Sequence, residues 1–165
     1  MARASGSRVV SLGAVAVRPE LEAVADELGE RASRAGVALV VEGDATIELE
    51  IRPRMLRVVA QNLAENAIRY AGPGATFTLA VERDADVVVL AARDDGIGIE
   101  EGELPRLFER FYRADRARAS RGTGLGLAIV KHIVTQAGGT VEAHGGLGAG
   151  LEIRCAFAGR ERIAG

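Results

Sequence analysis

The strongest constraint on the fold is the way two periodicities are laid out along the chain. Leu21, Val24, Leu28 and Ala32 make one apolar stripe at helical spacing, and Leu56, Val59, Leu63 and Ala67 make a second. Elsewhere the apolar residues come in short runs bounded by turn residues, which is strand chemistry. The pattern predicts an extended lead-in over 9–17, a helix from after Pro19 to Gly36, and strands over 37–41 and 47–51. A second helix is expected from Pro53 to Tyr70, since proline suits a first helical position. Strands over 75–82 and 87–92 follow as an antiparallel hairpin, then a short helix over 104–111 and a helix over 125–137 closed by Gly138-Gly139. Strands over 140–143 and 151–157 flank a glycine turn at 145–150. Strands and helices do not alternate one for one, so a doubly wound parallel sheet does not fit. The expected class is α+β: a two-layer α/β sandwich with a mixed, mostly antiparallel sheet packed on helices.

At 165 residues, 48% of them hydrophobic, the chain is long enough for one domain with a sizeable core. With 4% aromatics and no Trp, that core must be aliphatic. Residues 1–7 read as a flexible end, 8–158 as the domain and 159–165 as a tail. A single cysteine, Cys155, and two histidines, His132 and His144, exclude a disulfide framework and a multi-cysteine zinc site. A net charge of −2 points to no direct nucleic-acid partner. Lys131 is the only lysine among the 21 basic residues, and arginine enrichment in an Ala- and Gly-rich chain identifies no function alone. No apolar run approaches the roughly 20 residues of a membrane span, and nothing at the N-terminus marks secretion.

Three constellations have the residue types that chemistry needs. Asn62, Asn66 and Arg69 are spaced i, i+4, i+7 on one helix face, where asparagine is a poor helix former. An amide oxygen at Asn66 suits Mg²⁺, and the planar fork of Arg69 suits phosphate. Asp94-Asp95-Gly96-Ile97-Gly98 ends a strand, where an aspartate can accept from an exocyclic amine and glycines allow close approach. Gly122-Thr123-Gly124-Leu125-Gly126-Leu127 opens a helix, and free N–H groups there suit phosphate. It is neither a Walker A loop nor a good dinucleotide fingerprint. The Arg-rich stretch before it, with Arg113, Arg116, Arg118 and Arg121, is placed to close as a lid. Each has a plainer account alone: a solvated helix face, a strand-to-helix turn, glycines used for close packing, an exposed loop.

Taken together the motifs are specific. The run 61–70, Gln-Asn-Leu-Ala-Glu-Asn-Ala-Ile-Arg-Tyr, resembles the N box of sensor histidine kinases, and 94–99 resembles their G1 box. Residues 107–113 resemble the F box and 122–131 the G2 box, all in the family's order, with the likeness covering roughly residues 10 to 158. The resemblance implies the GHKL (Bergerat) ATP-binding fold, with ATP between helices and a mobile lid. It implies Asn66 as the Mg²⁺ ligand, with Arg69 in the family's usual lysine position near the phosphates. Asp94 would accept from the adenine amino group, Gly96 and Gly98 shape the adenine pocket, and Tyr70 line it. Gly122, Gly124 and Gly126 would hold the lid hinge and phosphates, and Arg113 or Arg118 reach the γ-phosphate. Asn62, Ile99, Thr123, Leu125 and Leu127 complete the nucleotide-binding set, while Phe108 and Phe111 would anchor the lid or meet a partner helix.

Two residues depart from the family pattern: Arg121 stands at a usual lid glycine, and Arg52 where an aspartate usually precedes the N-box helix. No histidine occurs before His132, which is expected to be structural, and His144 lacks the adjacent acid of an acceptor motif. The resemblance therefore implies an isolated catalytic domain, monomeric alone, from a homodimeric kinase. The acceptor histidine would lie on a separate dimerisation domain, with a response regulator downstream. The implied location is the cytoplasmic side of a bacterial membrane, with the full-length protein anchored there. Alternatives are a gyrase-like ATPase, an anti-sigma serine kinase, or a nucleotide-binding interaction module without transfer. The hydrolytic branch carries a general-base glutamate four residues before the metal asparagine; here that position is Asn62, and Glu65 points about 100° away around the helix.

Overall fold

The computed structural model describes residues 13–109 and 126–158. The chain enters through β1 (Ala14–Ala16) and passes directly into α1 (Val17–Ala35). The helix thus starts two residues before Pro19 rather than after it. A proline in the first turn gives up only an N–H that has no helical partner there. Gly36, in the left-handed region at φ 75°, ends α1 by donating to the Ala32 and Ser33 carbonyls. Next come β2 (Ala38–Gly43), β3 (Glu48–Glu50) and α2 (Pro53–Tyr70), with Pro53 at the helix start as expected.

The rest is sheet and one more helix: β4 (Thr76–Asp84), β5 (Val87–Asp94), α3 (Gly126–Gln136), β6 (Thr140–Gly145) and β7 (Leu151–Ala158). Between β5 and α3 the expected short helix over 104–111 is instead a 3-10 segment, Glu101–Arg106. Pro105 lies inside it and cannot donate, which breaks α-helical bonding; Phe111 lies outside the described residues.

The five-stranded sheet runs β2-β4-β5-β7-β6, and β1 pairs with β3 apart from it. Only β2 and β4 pair in parallel; every other neighbour in the sheet is antiparallel. The α+β sandwich with a mixed, mostly antiparallel sheet is therefore the observed class. Strand alternation sends Phe77, Leu79 and Val81 of β4, Val88, Leu90 and Ala92 of β5, and Ile153, Cys155 and Phe157 of β7 to one face. That face packs on Leu21, Val24 and Leu28 of α1, Leu56, Val59 and Leu63 of α2, and Val130 and Val134 of α3. Polar ties fasten α1 to α2 in ascending order: Glu20 to Arg57, Glu27 to Gln61 and Arg31 to Glu65. The two helices therefore run side by side in the same direction. The opposite sheet face holds a small buried cluster of Ala80, Val89 and Ala91. Ion pairs from Arg93 to Glu42 and from Arg154 to Glu152 stand around it.

Cys155 lies in the core, and burial pushes its thiol up to about 12 from 9.0. The thiolate fraction at neutral pH is thereby lowered about a thousandfold. An aromatic disulfide reagent is expected to label Cys155 only at the rate of global unfolding, and labelling in seconds in the native domain would contradict this placement.

Candidate functional site

The site gathers at the C-terminal ends of α2 and β5. Ile97 in the loop after β5 donates its N–H to the carbonyl of Ala71, just past α2, at 3.0 Å. The Gly148 N–H of the β6–β7 turn donates to the Ile97 carbonyl at 2.9 Å. Three separate segments are thus hydrogen-bonded into one unit.

Two glycines make this closeness possible. A Cβ on Gly96 would stand 2.2 Å from the Ala71 carbonyl oxygen, and one on Gly98 would stand 2.0 Å from that of Gly146. Gly98 also has φ +71°, which favours glycine. Both glycines expected to shape a pocket therefore act by letting backbones touch. Ile99 is buried beyond them, while Ile97 is 48% exposed.

The adjacent aspartates separate by strand parity. Asp95 faces away from α2 and is committed to β4: the Thr76 N–H donates to its Oδ1 at 2.7 Å. Asp94 follows Ala92 on the helix-facing side, with Phe77 and Leu151 as its register partners on β4 and β7. Its Oδ1 accepts from the Gly96 N–H at 2.9 Å, and the Leu151 N–H also hydrogen-bonds the carboxyl. Desolvation in this apolar row pushes the carboxyl above its ordinary 3.8, against the pull of those two donors. Two N–H donors leave acceptor capacity on the carboxyl for a third, external donor.

The two asparagines of α2 also separate. Asn62 Nδ2 donates to the Val58 carbonyl at 2.8 Å, and its Oδ1 lies 3.1 Å from where a Cβ on Gly126 would be. Asn62 therefore stands at the seam between α2 and the first residue of α3, where a glycine is needed. Among the described residues, no hydrogen bond engages the Asn66 side chain and no ion pair engages Arg69. Asn66 and Tyr70 are half-buried, and Arg69 is exposed in the last turn of α2. Glu65, beside Asn66, is held by Arg31 of α1 at 2.9 Å.

Of the glycine-rich run, Gly126 and Leu127 open α3, and Leu127 is buried. Arg113, Arg118, Arg121, Gly122, Thr123, Gly124 and Leu125 lie outside the described residues. Arg52 is the exposed residue preceding α2. His132, expected to be structural, is exposed on α3, because its neighbours Val130 and Val134 take the buried stripe. His144 is exposed on β6 and hydrogen-bonds Glu142 at 3.1 Å. Sequence reasoning places a glycine turn at 145–150 between β6 and β7 but assigns it no part in the site. Gly150 sits so close beneath the Asp94 carbonyl that a Cβ would fall 2.0 Å from its oxygen. The signal was present as the glycines at 145, 146, 148 and 150 within six residues.

Residues 51–160 match the family described as histidine kinase-, DNA gyrase B-, and HSP90-like ATPase. The chain belongs to that family. Within it, the likeness is to the ATP-binding catalytic domains of sensor histidine kinases. The sensor protein IrlS of Burkholderia pseudomallei is 39% identical over 123 residues, which make up 73% of this chain but only 26% of that protein. The mycobacterial sensor histidine kinase MprB superposes with a TM-score of 0.81 at 25% identity, covering 91% of this chain and 100% of that one. Full-length ShkA in complex with AMPPNP gives 0.76 at 28% identity, covering 91% of this chain and 32% of that one. No helix among the described residues is long and apolar enough to cross a membrane.

Proposed function

We propose that this domain binds Mg-ATP between α2 and the end of β5. It then passes the γ-phosphoryl group to a histidine on a separate dimerisation domain of the same kinase. Asp94 accepts from the adenine amino group beside Gly96, Gly98 and Ile99, with Tyr70 at the pocket wall. The amide of Asn66, engaged by no hydrogen bond among the described residues, fits Mg²⁺, a hard cation that takes oxygen donors. Bound there, the ion supplies charge neutralisation for the phosphates. Arg69 provides a further cation, and Arg113 or Arg118 with Gly122, Thr123, Gly124 and Leu125 complete the phosphate side. Asn62 braces the start of α3 at Gly126.

The observation that favours transfer over hydrolysis is that the one carboxylate on α2, Glu65, is not at the general-base position. The general-base position is Asn62, whose amide takes no proton, and Glu65 is turned away and ion-paired with Arg31. The nucleophile therefore comes from outside, with a response regulator receiving the phosphoryl group afterwards. In the whole protein the domain faces the cytoplasm, within a homodimer anchored to the membrane.

Mixing the domain with its dimerisation domain and labelled ATP is expected to give acid-labile phosphate. Acid-stable incorporation would indicate serine or threonine kinase activity, and phosphate release without incorporation an ATPase. Asn66→Ala is expected to remove the Mg²⁺ dependence of ATP binding measured by calorimetry with and without the ion. An undiminished Mg²⁺ effect would place the metal elsewhere.

A further inference from the structure

Asp94 has one apolar neighbour on each side in its cross-strand row, and they are not equivalent. Phe77, on β4, is 3% exposed and belongs to the core. Leu151, on β7, shares the helix-facing side with Ile153 and Cys155 and packs at the edge of the core, but is only half-buried. On the far side of Leu151 the row ends at Gly145 of β6, which has no side chain. Leu151 is also fixed at both ends of its contact with Asp94: its N–H bonds the carboxyl, and the preceding Gly150 abuts the Asp94 carbonyl.

We propose that Leu151 is a specificity-determining residue of the base pocket, its isobutyl group walling the space beside Asp94 and limiting the size of substituent tolerated on the exocyclic amine. The inference rests on the reading of Asp94 as acceptor for that amine. An apolar wall discriminates by volume, and each methylene changes selectivity by roughly ten- to two-hundredfold.

The test is competition against a ribose-labelled fluorescent ATP by ATP and by N6-benzyl-ATP. The quantity read is the ratio of their affinities in the parent domain, Leu151→Val and Leu151→Ala. The ratio is expected to shift toward the benzyl analogue by about tenfold in Leu151→Val and by more than that in Leu151→Ala. Thermal melts confirm folding, and the valine variant, well suited to a strand, stands if the alanine variant does not fold. A ratio equal to the parent's in the folded variants overturns the assignment. An Asp94→Asn domain that binds ATP as tightly as the parent removes the base reading itself, a failure visible separately from that of Leu151.

Discussion

Gly96→Ala is expected to lower stability by about 3 kcal/mol and to cut ATP affinity by about a hundredfold. The added methyl would meet the Ala71 carbonyl oxygen, carbonyl carbon and Cα at 2.2, 2.8 and 2.9 Å. All three are backbone atoms at the end of α2, and that carbonyl already accepts from the Ile97 N–H. No rotamer change relieves the contact; either the loop leaves α2 or the end of the helix uncoils. If the loop leaves, the Gly96 N–H leaves with it, and Asp94 loses one of the two donors that orient it. For a chain of this size the stability loss corresponds to a fall in Tm of about 6–12 °C. Gly29→Ala is the control: inside α1, its added methyl meets nothing within 4 Å. That change is expected to raise stability by about 0.5–1 kcal/mol, since alanine is the better helix former. Parent-like melting and ATP binding by Gly96→Ala would mean that α2 and the β5 loop are not in backbone contact.

What the sequence disclosed and what it hid divide along a physical line. The helix over 53–70 was legible because one stripe of Leu56, Val59, Leu63 and Ala67 repeats at helical spacing behind a proline. The hairpin of β4 and β5 was legible because its partners are adjacent in sequence. The parallel pairing of β2 with β4 was not, since α2 intervenes and no local turn fixes the register. The 3-10 segment escaped for a local reason: Leu104 and Leu107 have helical spacing, but Pro105 between them prevents α-helical bonding.

Site chemistry followed the same division. Residue types and spacing marked Asn62 and Asn66 together, and Asp94 and Asp95 together, because each pair is chemically identical. What separates their members is a neighbour distant in sequence. Gly126 of α3 lies against Asn62, and Thr76 of β4 takes Asp95. The contribution of Gly150 and Leu151 needed the β5–β7 register, which exists only once the sheet has formed.

Asp94→Asn is expected to make the nucleotide-free domain more stable while weakening ATP binding by about ten- to a hundredfold. The carboxyl sits between Phe77 and Leu151, where burial disfavours its charged form and pushes it above the ordinary 3.8. The folded state therefore keeps a proton to higher pH than the unfolded chain does. Stability falls as pH rises from the unfolded value through the raised folded one, and the cost persists at neutral pH. Asparagine has no such charge to bury and keeps an oxygen for the Gly96 N–H, so the variant escapes that cost. ATP binding moves the other way, because a carboxylate accepts from the adenine amine more strongly than an amide oxygen. Affinity of the parent should accordingly weaken as pH falls through the Asp94 titration, and that of Asp94→Asn should not. Melts and calorimetry from pH 4 to 8 test both arms. Equal ATP affinity in the two proteins would refute the role given to Asp94 in binding. A variant less stable than the parent at neutral pH would show instead that the two backbone donors outweigh desolvation.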